Sequence, residues 1–203
     1  MLTVVIQAGG ESRRMGRDKA LVPFLEQTLI ERVYQRVQEL ATEVVVTTNN
    51  PEMLQGLDVR LVSDRFPGRG ALGGLFTALD TAENPNVAVI ACDMPFVSAG
   101  LLSHQLQLLA SEKCDAVIPK TSSGSEPFHA VYWRDTCLKA VHCALQADNC
   151  RVDSWFGGVS VVYVVPEVIR RYDPLQLAFW NVNTPDELHR AEELAKVLDS
   201  HKG

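Results

Sequence analysis

The chain has 203 residues, enough to bury a substantial core without disulfide staples or a structural metal, and it is expected to form a single domain over residues 1–203. With 46% hydrophobic and 22% charged residues it has the composition of an ordinary soluble globular protein, and no apolar run reaches the ~18 residues of a membrane span. Its net charge of −6 argues against coating nucleic acid or an anionic membrane, so any anion site must be local.

The segment Met1-Leu2-Thr3 enters a strand-like run directly, without a charged leader or a small-residue cleavage site, so a cytoplasmic location is expected. Five cysteines, Cys92, Cys114, Cys137, Cys143 and Cys150, form no C-x-x-C pair. They signal neither a disulfide framework nor a zinc site, and are expected as reduced thiols, mostly buried.

In chain order, the first predicted strand covers residues 3–6. Directly after it comes Gln7-Ala8-Gly9-Gly10-Glu11-Ser12-Arg13-Arg14-Met15-Gly16-Arg17-Asp18-Lys19. Gly9 and Gly10 let the backbone turn tightly and approach a ligand, while Arg13, Arg14, Arg17 and Lys19 can neutralise phosphate charge. The spacing fits neither G-x-G-x-x-G nor the P-loop. Thr28 and Glu31 form a capping box ahead of Ile30, Val33, Val37 and Leu40, which recur at helical spacing. Further strands are predicted over 43–48, 59–62, 87–92, 116–119, 129–133 and 159–165, with helices between them. A short strand-like piece, Phe179-Trp180, precedes Thr184-Pro185-Asp186-Glu187, whose N-cap, N1 and N3 residues open a helix running to about Leu198.

This alternation is the signature of βαβ units. It predicts an α/β fold of three α/β/α layers around a mostly parallel sheet with an antiparallel strand. Three stretches break it: 64–74, rich in glycine and arginine; 121–126, a polar loop expected to be mobile; and 147–158, which has no clear period.

Ligands in open α/β sheets sit outside the carboxyl ends of the strands, so the residue after each strand is a site candidate. After the second predicted strand come Asn49 and Asn50, whose amides can bond a base or ribose or simply turn the chain before Pro51. After the third, Asp64 can accept from a base or sugar, and Gly73 and Gly74 leave room for a flat ligand; as a turn residue, Asp64 would cap locally instead. Asp93 follows a very apolar run and precedes Met94-Pro95. A carboxylate held there by a rigid strand suits a Mg²⁺ ion that also meets substrate phosphates, although it could merely cap the turn. Asn181 and Asn183 are expected on one face of a short strand, where they could bind a second substrate or reach a metal, or they could equally be turn formers. Trp133, Trp155 and Trp180 are read as core or rim packing, although Trp155, in the irregular 147–158 stretch, could instead cover a ring-shaped ligand; His104, His142, His189 and His201 are read as surface residues. No G-x-S-x-G elbow or H-E-x-x-H motif supports covalent hydrolase or zinc-protease chemistry.

The stretch Ala8-Gly9-Gly10-x-Ser12-x-Arg14-Met15-Gly16-x-Asp18-Lys19 resembles the opening signature of nucleotidyltransferases acting on molybdopterin. Gly70-Ala71-Leu72-Gly73-Gly74-Leu75, Cys92-Asp93-Met94-Pro95 and Asn181-Val182-Asn183-Thr184-Pro185 with Glu187 resemble that family's later motifs in the same order, across nearly the whole chain. Together they are similar to the molybdenum cofactor guanylyltransferases. The resemblance implies GTP and molybdenum-bound molybdopterin as substrates, Mg²⁺ as cofactor, and attack of the pterin's terminal phosphate on the α-phosphorus of GTP. It implies nucleotide contacts from Gln7, Ala8, Gly9, Gly10, Lys19, Asn49, Asp64 and Asp93, catalysis by Lys19, Arg14 and Asp93, metal binding by Asp93, and pterin contacts from Asn181, Asn183 and, more loosely, Arg151. Transient contact with molybdoenzymes or their chaperones would follow. Two positions depart from the family pattern: Gln7 stands where an aliphatic residue is usual, and Thr47 where asparagine is frequent. Competing expectations are a cytidylyltransferase for molybdopterin, a sugar- or isoprenoid-phosphate nucleotidyltransferase, and a non-catalytic molybdopterin carrier.

Overall fold

Strand β1 (Leu2–Gln7) is aliphatic along its length and both of its faces are covered, which places it at the centre of the sheet. The computed structural model describes residues 1–9, 19–54 and 56–200. After β1 come a small hairpin of β2 (Pro23–Phe24) and β3 (Gln27–Thr28), helix α1 (Leu29–Val37), β4 (Glu43–Thr47), β5 (Arg60–Val62), α2 (Gly70–Thr81), β6 (Asn86–Ala91) and α3 (Ala99–Ser111). The remainder comprises β7 (Ala116–Thr121), β8 (Gly124–Ser125), β9 (His129–Trp133), α4 (Arg134–Gln146), β10 (Val161–Val164), α5 (Pro166–Tyr172) and α6 (Pro185–Ser200).

The main sheet runs β10-β7-β9-β6-β1-β4-β5, with β8 attached to β7. All its pairings are parallel except those of β8 and of β9, which lies antiparallel to both β6 and β7. The reversal follows from the short link between β7 and β9, because a parallel return needs a crossover of a dozen or more residues. Buried Gln105 of α3 spans the β7–β9 seam, donating through Nε2 to the carbonyls of Val117 and His129 at 3.0 Å each.

Alternate residues of β1 feed opposite layers. Val4 and Ile6 pack with Ile30 and Val33 of α1, Leu101 of α3 and Ile169 of α5. Val5 packs with Leu72 and Leu75 of α2 and Val141 of α4. This is the expected three-layer arrangement. A third apolar cluster joins Phe24, Leu29, Phe96 and Val182 to Ala191 and Ala195 of α6.

Both predicted capping boxes form. Thr28 Oγ1 accepts from the Glu31 backbone N–H, and Glu31 Oε2 accepts from Thr28 N–H at 2.7 Å. At α6, Thr184 Oγ1 accepts from Glu187 N–H, and Glu187 Oε2 accepts from the backbone N–H groups of Asn183 (2.7 Å) and Thr184 (3.0 Å). Each box satisfies orphan donors of a helix's first turn, worth about 1 kcal/mol.

Three expectations are corrected. The 64–74 stretch is a loop only as far as Arg69, because α2 begins at Gly70. Residues 121–126 turn tightly rather than hang as a loop: Thr121 pairs with Gly124, and its hydroxyl bonds the Gly124 carbonyl and the Glu126 carboxylate. Phe179-Trp180 forms a turn closed by Trp180 N–H to the Leu177 carbonyl, not a strand, so Asn181 and Asn183 share no strand face. Trp155 is core, as expected: it is 3% exposed, packs against Tyr132 and Phe156 and donates Nε1–H to the Val152 carbonyl. Cys92, Cys114 and Cys137 are buried, whereas Cys143 and Cys150 are exposed.

Candidate active site

The chain leaves β1 toward β4 and leaves β6 toward β7, in opposite directions along the sheet, so the carboxyl ends of β1 and β6 flank a crevice. A cleft of about 820 Å³ opens there. It is lined by Gln7 at the end of β1 and Ala8 and Gly9 after it, by Thr47 at the end of β4 and Asn49 after it, by Asp64 after β5 and by Asp93 after β6. Lys19 also lines it, as do Gly70 and Gly74 at the start of α2. Of the residues singled out in sequence, Gly10, Arg13, Arg14 and Arg17 lie outside the described residues.

At the β6 rim, Lys19 Nζ donates to Asp93 Oδ2 at 2.8 Å and to Asn183 Oδ1 at 2.6 Å. The side chains of Lys19 and Asp93 are 23% and 15% exposed, so the pair is half withdrawn from water and its attraction is only partly screened. Asp93 Oδ1 is buried and has no hydrogen-bond partner among the described residues. An unsatisfied carboxylate oxygen beside an ammonium is a donor position for a hard cation. The described residues contain no cluster of three or more His, Cys, Asp or Glu able to hold a metal on their own.

Asn183 reaches this point through backbone geometry. Val182 N–H donates to the Asp93 carbonyl at 2.9 Å, and Glu187, from the first turn of α6, holds Asn183 N–H. The Glu187 carboxyl lies below the usual range, first because of that Asn183 N–H and then because of Thr184. Asn181 donates to the Phe179 carbonyl and receives the Asn183 amide on its own carbonyl.

On the opposite wall, Asp64 Oδ1 accepts from Thr77 Oγ1 at 2.7 Å and from Phe66 N–H at 3.0 Å, so this carboxylate both shapes a turn and faces the cleft. A Cβ on Gly73 would lie 2.8 Å from the Phe66 carbonyl oxygen, so its smallness admits the neighbouring loop rather than a flat ligand. Gly68 and Gly70 have φ of +83° and +56°, left-handed values that favour glycine, and together they turn the chain into α2. Asn49 extends beside Gly9, its Nδ2 3.9 Å from where a Gly9 Cβ would stand.

Arg151 is not brought to this cluster. It pairs with Asp153 and is 79% exposed. His129 carried no sequence signal beyond its strand, yet it is fully buried beside the site: its Nε2 accepts from Ser98 N–H at 3.1 Å, anchoring the segment that follows Asp93. Burial lowers its pKa to about 4.

The arrangement offers an ammonium and a carboxylate at one rim, amides at both ends, and glycine backbone between them, which is the equipment for a polyanion carrying a ring at one end. The MobA-like NTP transferase domain family matches residues 4–156. A protein of Pelotomaculum thermopropionicum described as "Probable molybdenum cofactor guanylyltransferase" is 36% identical over 194 residues, covering 96% of this chain and 93% of that protein. The molybdenum cofactor guanylyltransferase of Desulfosudis oleivorans is 31% identical, covering 97% of this chain and 96% of that one. Among solved structures, the molybdopterin-guanine dinucleotide biosynthesis protein A of Archaeoglobus fulgidus superposes with a TM-score of 0.83 at 28% identity, covering 96% of this chain and 98% of that one. By fold and by sequence along almost its whole length, the chain belongs to the MobA-like NTP transferase family.

Proposed function

We propose that the chain transfers GMP from GTP to the terminal phosphate of molybdenum-bound molybdopterin, releasing pyrophosphate and forming the guanine dinucleotide form of the cofactor. The observation that carries this reading is the convergence of Lys19, Asp93 and Asn183 at the rim of a cleft whose far wall presents Asp64 and Asn49. The relatives named for guanylyl transfer match over nearly the full chain and support the choice of GTP.

An oxygen of the pterin's terminal phosphate forms the new bond to the α-phosphorus of GTP, and the bond from that phosphorus to the bridging oxygen of pyrophosphate breaks. The attacking oxygen is already anionic, so no general base is required. The chain contributes alignment and charge stabilisation. Lys19 neutralises phosphate oxygens with an ammonium whose position is fixed by two partners. The main chain at Ala8 and Gly9 allows the nucleotide to approach without a side chain intervening, and Asp64 and Asn49 hold its base and ribose. Asn181 and Asn183 face the pterin side. Asp93 would hold Mg²⁺ through its orphan Oδ1: a single hard carboxylate oxygen suits an ion whose other ligands are phosphates and water. When bound, that ion supplies neutralisation of the charge developing on the phosphates.

Supplying purified chain with Mg²⁺, molybdenum-bound molybdopterin and each of GTP, CTP, ATP and UTP, and following pyrophosphate release, tests the reading. Release with GTP, lost in Asp93→Ala while the far-ultraviolet circular dichroism is retained, is expected. Release with CTP instead would identify a cytidylyltransferase, and pterin binding without any Mg-GTP binding would identify a carrier.

A further inference from the structure

Asp93 stands on two consecutive turns rather than on a strand or a helix. Met94 N–H donates to the Ala91 carbonyl at 3.4 Å and Val97 N–H to the Met94 carbonyl at 3.1 Å, with Pro95 at the second position of the second turn, where its fixed φ suits the bend. Such a segment has no ladder of its own and takes its position from its neighbours. At one end Val182 N–H holds the Asp93 carbonyl, and at the other His129 Nε2 accepts from Ser98 N–H. Between them, Arg36 in the last turn of α1 donates Nε–H to the Val97 carbonyl at 2.8 Å. Val97 is fully buried in the same apolar cluster as Val33 and Val37 of α1, so its carbonyl is out of reach of solvent. Burial first, and then the neighbouring Arg32 charge, lower the Arg36 pKa, while Asp199 and Asp173 raise it; the guanidinium keeps its proton.

We propose that Arg36 is a positioning residue for Asp93: its grip on the Val97 carbonyl fixes the double turn that carries the carboxylate, and so fixes where that carboxylate meets Lys19 and the Mg²⁺ of the nucleotide. The inference rests on the guanylyl-transfer reading above. The Asp93 side chain is tied at Oδ2, to Lys19, while Oδ1 has no hydrogen-bond partner among the described residues, so the aim of the carboxylate depends on the backbone beneath it. A charged donor grips a carbonyl more firmly than a neutral one, which gives a reason for an arginine where a neutral side chain would be easier to bury. Without that donor the buried Val97 carbonyl must turn toward another partner, and the turns that carry Asp93 move with it. Arg36 itself belongs to α1, on the far side of this segment from the cleft's nucleotide wall, so it acts through Asp93 and not by touching substrate.

Arginine Nε, glutamine Nε2 and methionine Cε lie the same number of bonds from Cα. Arg36→Gln therefore keeps a donor at the same reach, and Arg36→Met puts a methyl group there. Calorimetric titration with GTP, in Mg²⁺ and again in EDTA, gives the gain in affinity that the metal confers; steady-state pyrophosphate release and thermal melts accompany it. Arg36→Met is expected to cut that metal-dependent gain and kcat by about tenfold each, while GTP affinity in EDTA stays within about twofold of wild type. Arg36→Gln should hold both quantities within about threefold of wild type, since it loses the charge but not the bond. If Arg36→Met keeps the wild-type metal-dependent gain, whatever its melting temperature, or if Arg36→Gln falls as far as Arg36→Met, Arg36 only braces the fold. The inference then fails and the guanylyl-transfer reading stands. Should Arg36→Met not fold, Arg36→Gln decides by the same limit, a larger loss overturning the inference. If wild type gains no GTP affinity from Mg²⁺, the metal role of Asp93 fails and takes this inference with it.

Discussion

His129 provides the sharpest quantitative test of how the fold holds its site. The ring is fully buried at the start of β9, with Nε2 accepting from Ser98 N–H, and burial lowers its pKa from 6.5 to about 4. The folded value lies below the unfolded one, so between these two pH values the unfolded chain binds more protons. Stability is therefore complete above pH 6.5, declines as pH falls through the window, and loses nothing more from this group below pH 4. At about 1.4 kcal/mol per unit, the gap corresponds to ~3 kcal/mol, a sizeable share of the 5–15 kcal/mol typical of a domain. Protonation also turns Nε2 from acceptor to donor, so Ser98 N–H loses its partner and the segment between Asp93 and α3 loses its anchor. Urea unfolding of wild type and His129→Leu, followed by tryptophan fluorescence at closely spaced pH values, isolates the effect. The variant lacks the Ser98 contact at every pH, so it should be less stable at pH 7. That deficit should shrink by ~3 kcal/mol by pH 4 as the wild type loses its advantage. A difference between the two that stays flat across the window would refute the assignment of a buried neutral imidazole.

The other perturbations act on the cleft directly. Lys19→Ala removes the ammonium shared by Asp93 and Asn183 and should lower kcat/KM for GTP by about 10²-fold, in both KM and kcat; unchanged values of both would contradict the phosphate role. Gly73→Ala puts a Cβ 2.8 Å from the Phe66 carbonyl and 2.9 Å from Arg69 Cβ, so the 66–69 loop must shift, at a cost of about 1–3 kcal/mol in chemical denaturation and with weaker nucleotide binding. An unperturbed midpoint would show that the loop yields without strain.

The elements most legible in the sequence are those set by local chemistry. Both capping boxes announce their helices, because Thr-x-x-Glu satisfies backbone donors within one turn and needs nothing from elsewhere. The aliphatic run of β1 announces a doubly covered central strand for the same reason. Illegible were features decided by tertiary partners. Gly70 to Gly74 reads as loop because glycine disfavours helix, yet the fold needs the helix there, with Gly73 admitting a loop carbonyl and Gly74 the Gln7 amide. Trp155 could be read as core or as a ligand cover, and only Tyr132, lying against it, decides for core. His129 and Gln105 carry no pattern at all, since their partners, Ser98 N–H and two strand carbonyls, lie on other elements. In the cleft, the residue types after each strand could be read off, but the meeting of Lys19 with Asp93 and Asn183, 74 and 164 positions away, could not.

The matched domain ends at residue 156, yet the second oxygen gripping Lys19 comes from Asn183. The C-terminal part is therefore a component of the site rather than an appendage. Glu187 caps α6 and in the same act fixes Asn183 N–H, while Val182 is buried between Phe96 and α6 and hydrogen-bonds the Asp93 carbonyl. A single cap thus sets both the start of the helix and the backbone from which Asn183 reaches Lys19. A carboxylate is also what makes that cap sensitive to acid: the Glu187 pKa is lowered in the fold, so its contribution is present above the usual glutamate value and is lost as pH falls through the lowered one. The cleft's two walls consequently answer to different groups. The wall against α2 is held by Asp64 through Thr77 and the Phe66 N–H, and the opposite rim rests on α6 and on charges at Lys19, Asp93 and Glu187. Salt should therefore loosen the rim, which rests on the Lys19–Asp93 ion pair, before it touches the wall, whose Asp64 is held by a hydroxyl and a backbone N–H.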